Sequence, residues 1–347
     1  MKALVKENPA PGIVYREVPD PPLQRGQVIV RVKSCGISGS EVSRYRWTNA
    51  YHAGAAKDMT RLLPRIMGHE FSGTISAVGA GVTGIAEGEP VVVQPVIGCG
   101  GCESCDAGLP NHCNRRITAG VNADGGFAEY CAVPAANVYT LPAGVTLESA
   151  ALLQPFAIAA YSLEIGALRP GDRIGVWGVG AIGISIIQQA VIAGATVEFA
   201  VGRDPGRLEG ARQLGVRNVI SARECDPAER LRQLFGGQKL DAIFEVSGHT
   251  PALNSALTLL KKRGRVVLIG NLREPFRADL LQAIMDQLNI LSVRTYSLSA
   301  WRRALALLPR VQGQRGALPV ERVALADGVR AFERAAAGEG LKFVLQP

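Results

Sequence analysis

Apolar positions follow one rhythm up to about residue 150 and another beyond it. In the first stretch they come in short β-like runs: Ala3–Lys6, Gln27–Ser34, Phe71–Val78, Pro90–Val96 and Phe127–Val133. Glycine and proline punctuate the intervals, which predicts a compact β-barrel-like domain. From Ala150 helix-length segments alternate with strands at Arg173–Trp177, Thr196–Val201, Asn218–Ile220, Ala242–Glu245 and Arg265–Ile269. That alternation predicts an α/β fold with a doubly wound parallel sheet. Leu291–Tyr296 continues as a further strand, Trp301–Leu308 as an amphipathic helix, and the tail Lys342–Gln346 as a strand returning to the first domain. The expected domains are 1–150 with 297–347, and 151–296.

The segment Ile174–Arg203 carries the clearest chemistry. It reads strand, Gly178-x-Gly180-x-x-Gly183 turn, helix and second strand within about 30 residues, the spacing of a dinucleotide-binding unit. Gly178 permits the tight turn, Gly180 lets backbone approach a pyrophosphate, and Gly183 lets helix and strand pack closely. Ala181 and Ile182 open the helix whose N–H groups face the phosphates. Ser247 and Gly270, just beyond the next strands, complete the cofactor-facing set. An NAD site ends its second strand on a carboxylate; here Gly202-Arg203 stands instead, and Glu198 falls too early. Asp204-Pro205 reads as an N-cap followed by proline at the first helical position of a helix over Arg207–Leu214, although Asp204 is also a rival ribose partner. Arg203, helped by Arg207, suits a 2′-phosphate, so the expected cofactor is NADP(H). The alternative is that both arginines are solvated surface residues.

Composition narrows the picture. The 347 residues are 47% hydrophobic and 20% charged, enough for two domains with separate cores. The longest apolar run, Ile174–Ile187, is broken by glycines and belongs to the nucleotide-binding unit rather than to a membrane span. Met1-Lys-Ala-Leu-Val looks like an immediate strand rather than a secretion signal, so the expected location is cytoplasmic. The net charge of +8 comes from scattered arginines, with no basic run interleaved with aromatics, which argues against nucleic acid.

Four of the seven cysteines form Cys99-x-x-Cys102-x-x-Cys105-x7-Cys113. Thiolates at that spacing, in a glycine-rich loop, close a tetrahedral zinc site with no open position, which makes the metal structural. An iron–sulfur cluster draws on similar ligands. Clustering of this kind suits a reducing compartment better than disulfides do.

Cys35-Gly-Ile-Ser-Gly-Ser-Glu41, Gly68-His-Glu70, the cysteine quartet, Asp124-Gly-Gly-Phe-Ala-Glu-Tyr130, Gln154-Pro155 and the Gly178 turn together resemble the medium-chain dehydrogenase/reductase family. The resemblance is to its zinc-type alcohol, sorbitol and threonine dehydrogenase branch, and it covers essentially the whole chain. It implies a GroES-like catalytic domain with an inserted Rossmann domain, an active site in the cleft between them, and a homodimer or homotetramer pairing through Leu291–Tyr296. In that branch a cysteine, a histidine and a glutamate hold a catalytic zinc; the matching positions here are Ser38, His69 and Gln154. A hydroxyl and an amide are poor zinc ligands beside thiolate and carboxylate. The family's proton-relay histidine is matched by Ser43. A reworked site could draw on Cys35, His69 and Glu70, with His52 nearby, or His69 could be a buried core histidine that Glu41 orients. Within Arg44–Arg65, Tyr45, Trp47, Tyr51 and His52 either line a substrate pocket or pack on the domain surface.

The expected activity is therefore that of an NADP(H)-dependent oxidoreductase with a structural zinc and no catalytic zinc. It would reduce an activated small-molecule C=C, C=N or C=O group, with Ser38, Ser40, His69, Glu70 and Gln154 as candidate catalytic residues. The alternatives are a zinc-dependent alcohol or polyol dehydrogenase with a reworked site, and a non-catalytic NADP(H)-binding protein.

Overall fold

A computed structural model describes residues 1–48, 62–272, 275, 280–313, 318–339 and 342–347. The chain forms two compact units: Met1–Gln154 with Ser297–Gln312 and Val320–Pro347, and Pro155–Tyr296 with Gly313–Pro319.

The first unit is built on Gln27–Gly36. Val28, Val30 and Val32 are buried while Arg31 faces outward, the period of two that a half-covered strand requires. Strands are ordered Val138–Thr140, Pro90–Val93, Phe71–Val78, Gln27–Gly36, Lys342–Gln346 and Val320–Ala324, and Tyr130–Pro134 pairs with the first half of Gln27–Gly36. The predicted return of the tail is observed: Val344 and Leu345 lie antiparallel to Gly36 and Cys35. A smaller sheet joins Val14–Glu17, Lys2–Lys6 and Arg65–Ile66. The core is largely aliphatic, with Phe127 edge-on to Phe332 at 5.5 Å within it. The run expected over Phe127–Val133 begins later, at Tyr130, because Phe127 bonds through its carbonyl to the Leu4 N–H of the smaller sheet.

The second unit is a six-stranded parallel sheet. Taken in chain order its strands are Arg173–Trp177, Thr196–Gly202, Asn218–Ser221, Leu240–Glu245, Leu260–Leu268 and Asn289–Ser292. The spatial order is third, second, first, fourth, fifth, sixth, the dinucleotide-binding arrangement. Helices cover both faces, so Arg173–Trp177 and Thr196–Gly202 read as nearly unbroken apolar runs. The strand expected over Leu291–Tyr296 lies instead at Asn289–Ser292, and Thr295, at φ 52°, has left extended geometry. Among the described residues no helix is long and apolar enough to cross a membrane.

Candidate functional site

Where Gln27–Gly36 leaves the sheet, Ser34, Cys35 and Gly36 are all buried, and the chain turns through Ser38 into the helix Gly39–Tyr45. Ser38 is the N-cap. Its hydroxyl accepts from Glu41 N (3.2 Å) and its N–H donates to Glu41 Oε2 (2.8 Å), a complete capping box. Ser38 Oγ also lies 3.0 Å from Ser40 Oγ. The other carboxylate oxygen of Glu41 accepts from His69 N at 3.0 Å and meets His69 Nδ1 at 2.8 Å. Glu41 has no exposed surface. Burial alone would raise its carboxyl, but the His69 imidazole, the Ser38 N–H and the Lys342 ammonium together hold it at about 2. An ionised carboxylate can only accept, so His69 carries its hydrogen on Nδ1.

The neighbouring Glu70 faces the other way. Lys342 Nζ donates to Glu70 Oε2 at 2.5 Å and to Ile37 O at 2.7 Å, a pair buried in the first unit. Burial raises the Glu70 carboxyl despite the ammonium beside it. A Cβ at Gly36 would lie 2.7 Å from Glu70 Oε2, so glycine is what lets this pair close. Cys35 is fully buried and its thiol is pushed well up, first by burial and then by the Glu41 and Glu70 carboxylates. A thiol held in that state is a poor metal ligand. Among the described residues Cys35, His69 and Glu70 do not gather into a metal-holding group; the cysteine quartet alone does. Gln154 is buried at the start of the helix Leu153–Ile165. Ser43 bonds back to Gly39 O within its own helix. Tyr45 stacks on Phe332 at 5.5 Å and Trp47 lies under Lys6 Nζ at 5.2 Å, which places both in packing; Tyr51 and His52 lie outside the described residues.

In the second unit the glycine turn has the form its spacing predicts. Gly178 sits at φ 111°, and a Cβ at Gly183 would lie 1.8 Å from Gly178 O. Over Gly180 there is open space, bounded at 3.9 Å by Arg207 Nη1, as a backbone cradle for phosphate requires. Ala181 and Ile182 begin the helix Ala181–Ile192. Asp204 is the N-cap of Pro205–Gln213, its Oδ1 accepting from Arg207 N at 2.9 Å, so the helix starts two residues before the predicted Arg207. Arg203 is exposed and Arg207 half-buried beside the turn. Glu198 is held inside the strand by Arg173 (2.7 Å) and Arg217 (3.0 Å). Ser247 approaches the turn, since a Cβ on Gly178 would meet Ser247 N at 3.0 Å. Glu245, fully buried, accepts from the Ser247 N–H (2.8 Å), the Ser247 hydroxyl and the Gly248 N–H (3.0 Å), and Gly270 packs against the same carboxylate. Sequence reasoning missed Glu245 and Lys342; the one available signal is a charge at the end, or the start, of an otherwise apolar strand.

Cys99, Cys102, Cys105 and Cys113 bring their sulfur atoms within 4.8 Å of one another. Four zinc-bound thiolates stand about 3.8 Å apart, given Zn–S bonds of about 2.3 Å, so the set fits a tetrahedral ion. A Cβ at Gly98 would lie 2.7 Å from Cys105 Sγ, which explains the glycine at the loop entrance.

Residues 24–143 match the alcohol dehydrogenase GroES-like domain family, and residues 181–310 the zinc-binding dehydrogenase family. An L-threonine 3-dehydrogenase from Bacillus licheniformis is 31% identical over 349 residues, spanning 100% of this chain and 99% of the relative. A sorbitol dehydrogenase from Halalkalibacterium halodurans is 31% identical over 351 residues, with coverage of 100% and 99%. Among solved structures, the alcohol dehydrogenase rspB of Escherichia coli CFT073, complexed with NADH, superposes with a TM-score of 0.86 at 31% identity over 100% of this chain and 99% of that one.

Proposed function

The chain belongs to the zinc-type medium-chain dehydrogenase/reductase family, and from that premise we propose that it is an NADP(H)-dependent oxidoreductase whose reaction uses His69 rather than a catalytic zinc. The observation that carries the reading is the Ser38–Glu41–His69 hydrogen-bond set. At the position where relatives of this branch place a zinc-binding thiolate, this chain has a hydroxyl committed to capping a helix. With an amide at Gln154 in place of the third ligand, the remaining donors are neutral and do not fit a zinc ion.

A bound nicotinamide supplies or accepts the hydride. The protein supplies orientation and a proton. Glu41 fixes the imidazole through Nδ1, leaving Nε2 to give a proton to, or take one from, the reacting group. Ser38 and Ser40, whose hydroxyls lie 3.0 Å apart, are the further candidate donors. Without a Lewis acid an unactivated ketone loses its main source of polarisation, so conjugated C=C bonds, iminium groups and activated carbonyls are the favoured substrates. NADP(H) is supported by Arg203 and by Arg207 beside the phosphate turn, with Asp204 occupied as a cap. The NADH bound by the rspB relative makes NAD(H) the competing cofactor. The names of the threonine and sorbitol dehydrogenase relatives support a second reading, ordinary alcohol oxidation.

The test is consumption of NADPH and NADH against a panel of enones, cyclic imines and activated aldehydes, with and without EDTA. NADPH-dependent turnover that survives EDTA, and that falls by roughly 10²–10⁴ in His69→Ala at a temperature where circular dichroism shows the variant still folded, is the expected result. Polyol oxidation abolished by EDTA would establish the second reading instead, and absence of turnover with every substrate would leave a cofactor-binding protein.

A further inference from the structure

Three of the four quartet cysteines are half-buried and Cys113 is buried, so the cluster has a protected back and an open front. At that front Arg115 Nη2 donates to Cys99 Sγ at 3.2 Å. The following residue is committed elsewhere, Arg116 Nη1 bonding to Asn111 O at 2.5 Å. Arg115 is exposed and contributes nothing to the core. Four thiolates around one Zn²⁺ leave a net charge of −2, and a guanidinium on one sulfur offsets part of it.

We propose that Arg115 is an outer partner of the zinc-bound Cys99 thiolate, a positioning residue that slows loss of the metal from the quartet. The proposal rests on reading the quartet as a zinc site. Ligand exchange begins when one thiolate detaches, and the half-buried corners, Cys99 among them, detach more readily than buried Cys113. An N–H donor on that sulfur holds it in place and spreads its charge, as donors behind metal ligands generally do. Arginine suits this better than lysine because its planar fork keeps the donor aimed while the rest of the head stays in water.

The test is release of zinc from the intact, zinc-loaded protein to excess 4-(2-pyridylazo)resorcinol, followed by absorbance. Arg115→Ala should release zinc about tenfold faster than the unmodified protein, and Arg115→Lys should fall between them. Because the guanidinium is exposed, the gap between Arg115→Ala and the unmodified protein should narrow in high salt. In cobalt-substituted protein the thiolate-to-metal charge-transfer band should shift in Arg115→Ala, a signature that a purely structural role would not produce. Equal release rates, or faster release accompanied by lower melting of the zinc-loaded variant and an unshifted cobalt band, would overturn the proposal. Purified protein carrying no zinc at all would instead refute the reading of the quartet, and the two failures are told apart by that first measurement.

Discussion

At Glu41, burial and a set of donors pull in opposite directions, and the donors win: the carboxyl is held at about 2 against an ordinary 4.5. The folded protein thus binds that proton more weakly than the unfolded chain does. The stability Glu41 contributes is fully present above about pH 4.5 and is lost as the pH falls toward 2, in all on the order of 3 kcal/mol. Urea unfolding of Glu41→Gln beside the unmodified protein should show a gap at pH 6 that shrinks to about half or less at pH 3 and closes only below pH 2; a gap independent of pH would mean that the charge of Glu41 contributes nothing. Cofactor choice is decided at the same scale. Replacing Arg203 by alanine should weaken NADPH binding by about tenfold or more, a charged hydrogen bond contributing about 1.5–3 kcal/mol, while leaving NADH binding unchanged; Arg207→Ala, beside the phosphate turn, should weaken both and NADPH the more. Fluorescence titration with both cofactors checks this, and equal losses for the two would assign the arginines to the fold rather than to a 2′-phosphate.

Among the elements, the helix Gly39–Tyr45 is only about two turns long, and its start depends on Ser38. Ser38→Ala should cost about 1 kcal/mol of stability, and Ser38→Asn, which keeps a cap, much less. Thermal melting decides, and an unchanged midpoint in Ser38→Ala would free the hydroxyl for a chemical role. This element also marks the limit of what sequence reveals. The parallel strands were legible because burial on both faces leaves continuous apolar runs, and the glycine turn because only its spacing fits the backbone approach. The cysteine quartet declared itself through local spacing. By contrast, nothing in Gly68-His-Glu70 announces that Lys342, 272 residues away, lies against Glu70. Nor does the segment 245–248 show that its own first carboxylate ties the loop down, since Glu-x-Ser-Gly reads as an ordinary strand end.

For the molecule as a whole, the metal count separates the readings. We expect close to one zinc per chain by elemental analysis, held by the quartet, and about two after Ser38→Cys and Gln154→Glu are combined. Either change alone should add less than one, because each restores only one of two anionic donors. Two tightly held metals in the unmodified protein would refute the zinc-free site. The same double variant should lose turnover on the native substrate, as a zinc ion and its water would stand beside His69 Nε2.

Lys342–Gln346 closes the first sheet against Cys35 and Gly36 and brings the ammonium that neutralises Glu70. On the ribosome, therefore, the unit that begins at Met1 stays open through most of translation, its central strand lacking a neighbour and its buried carboxylate lacking a counter-ion. The strands of the second unit have all emerged by Ser292 and can pair while the first still waits. Completion of the first unit thus comes after the strands of the second, although most of its residues precede them.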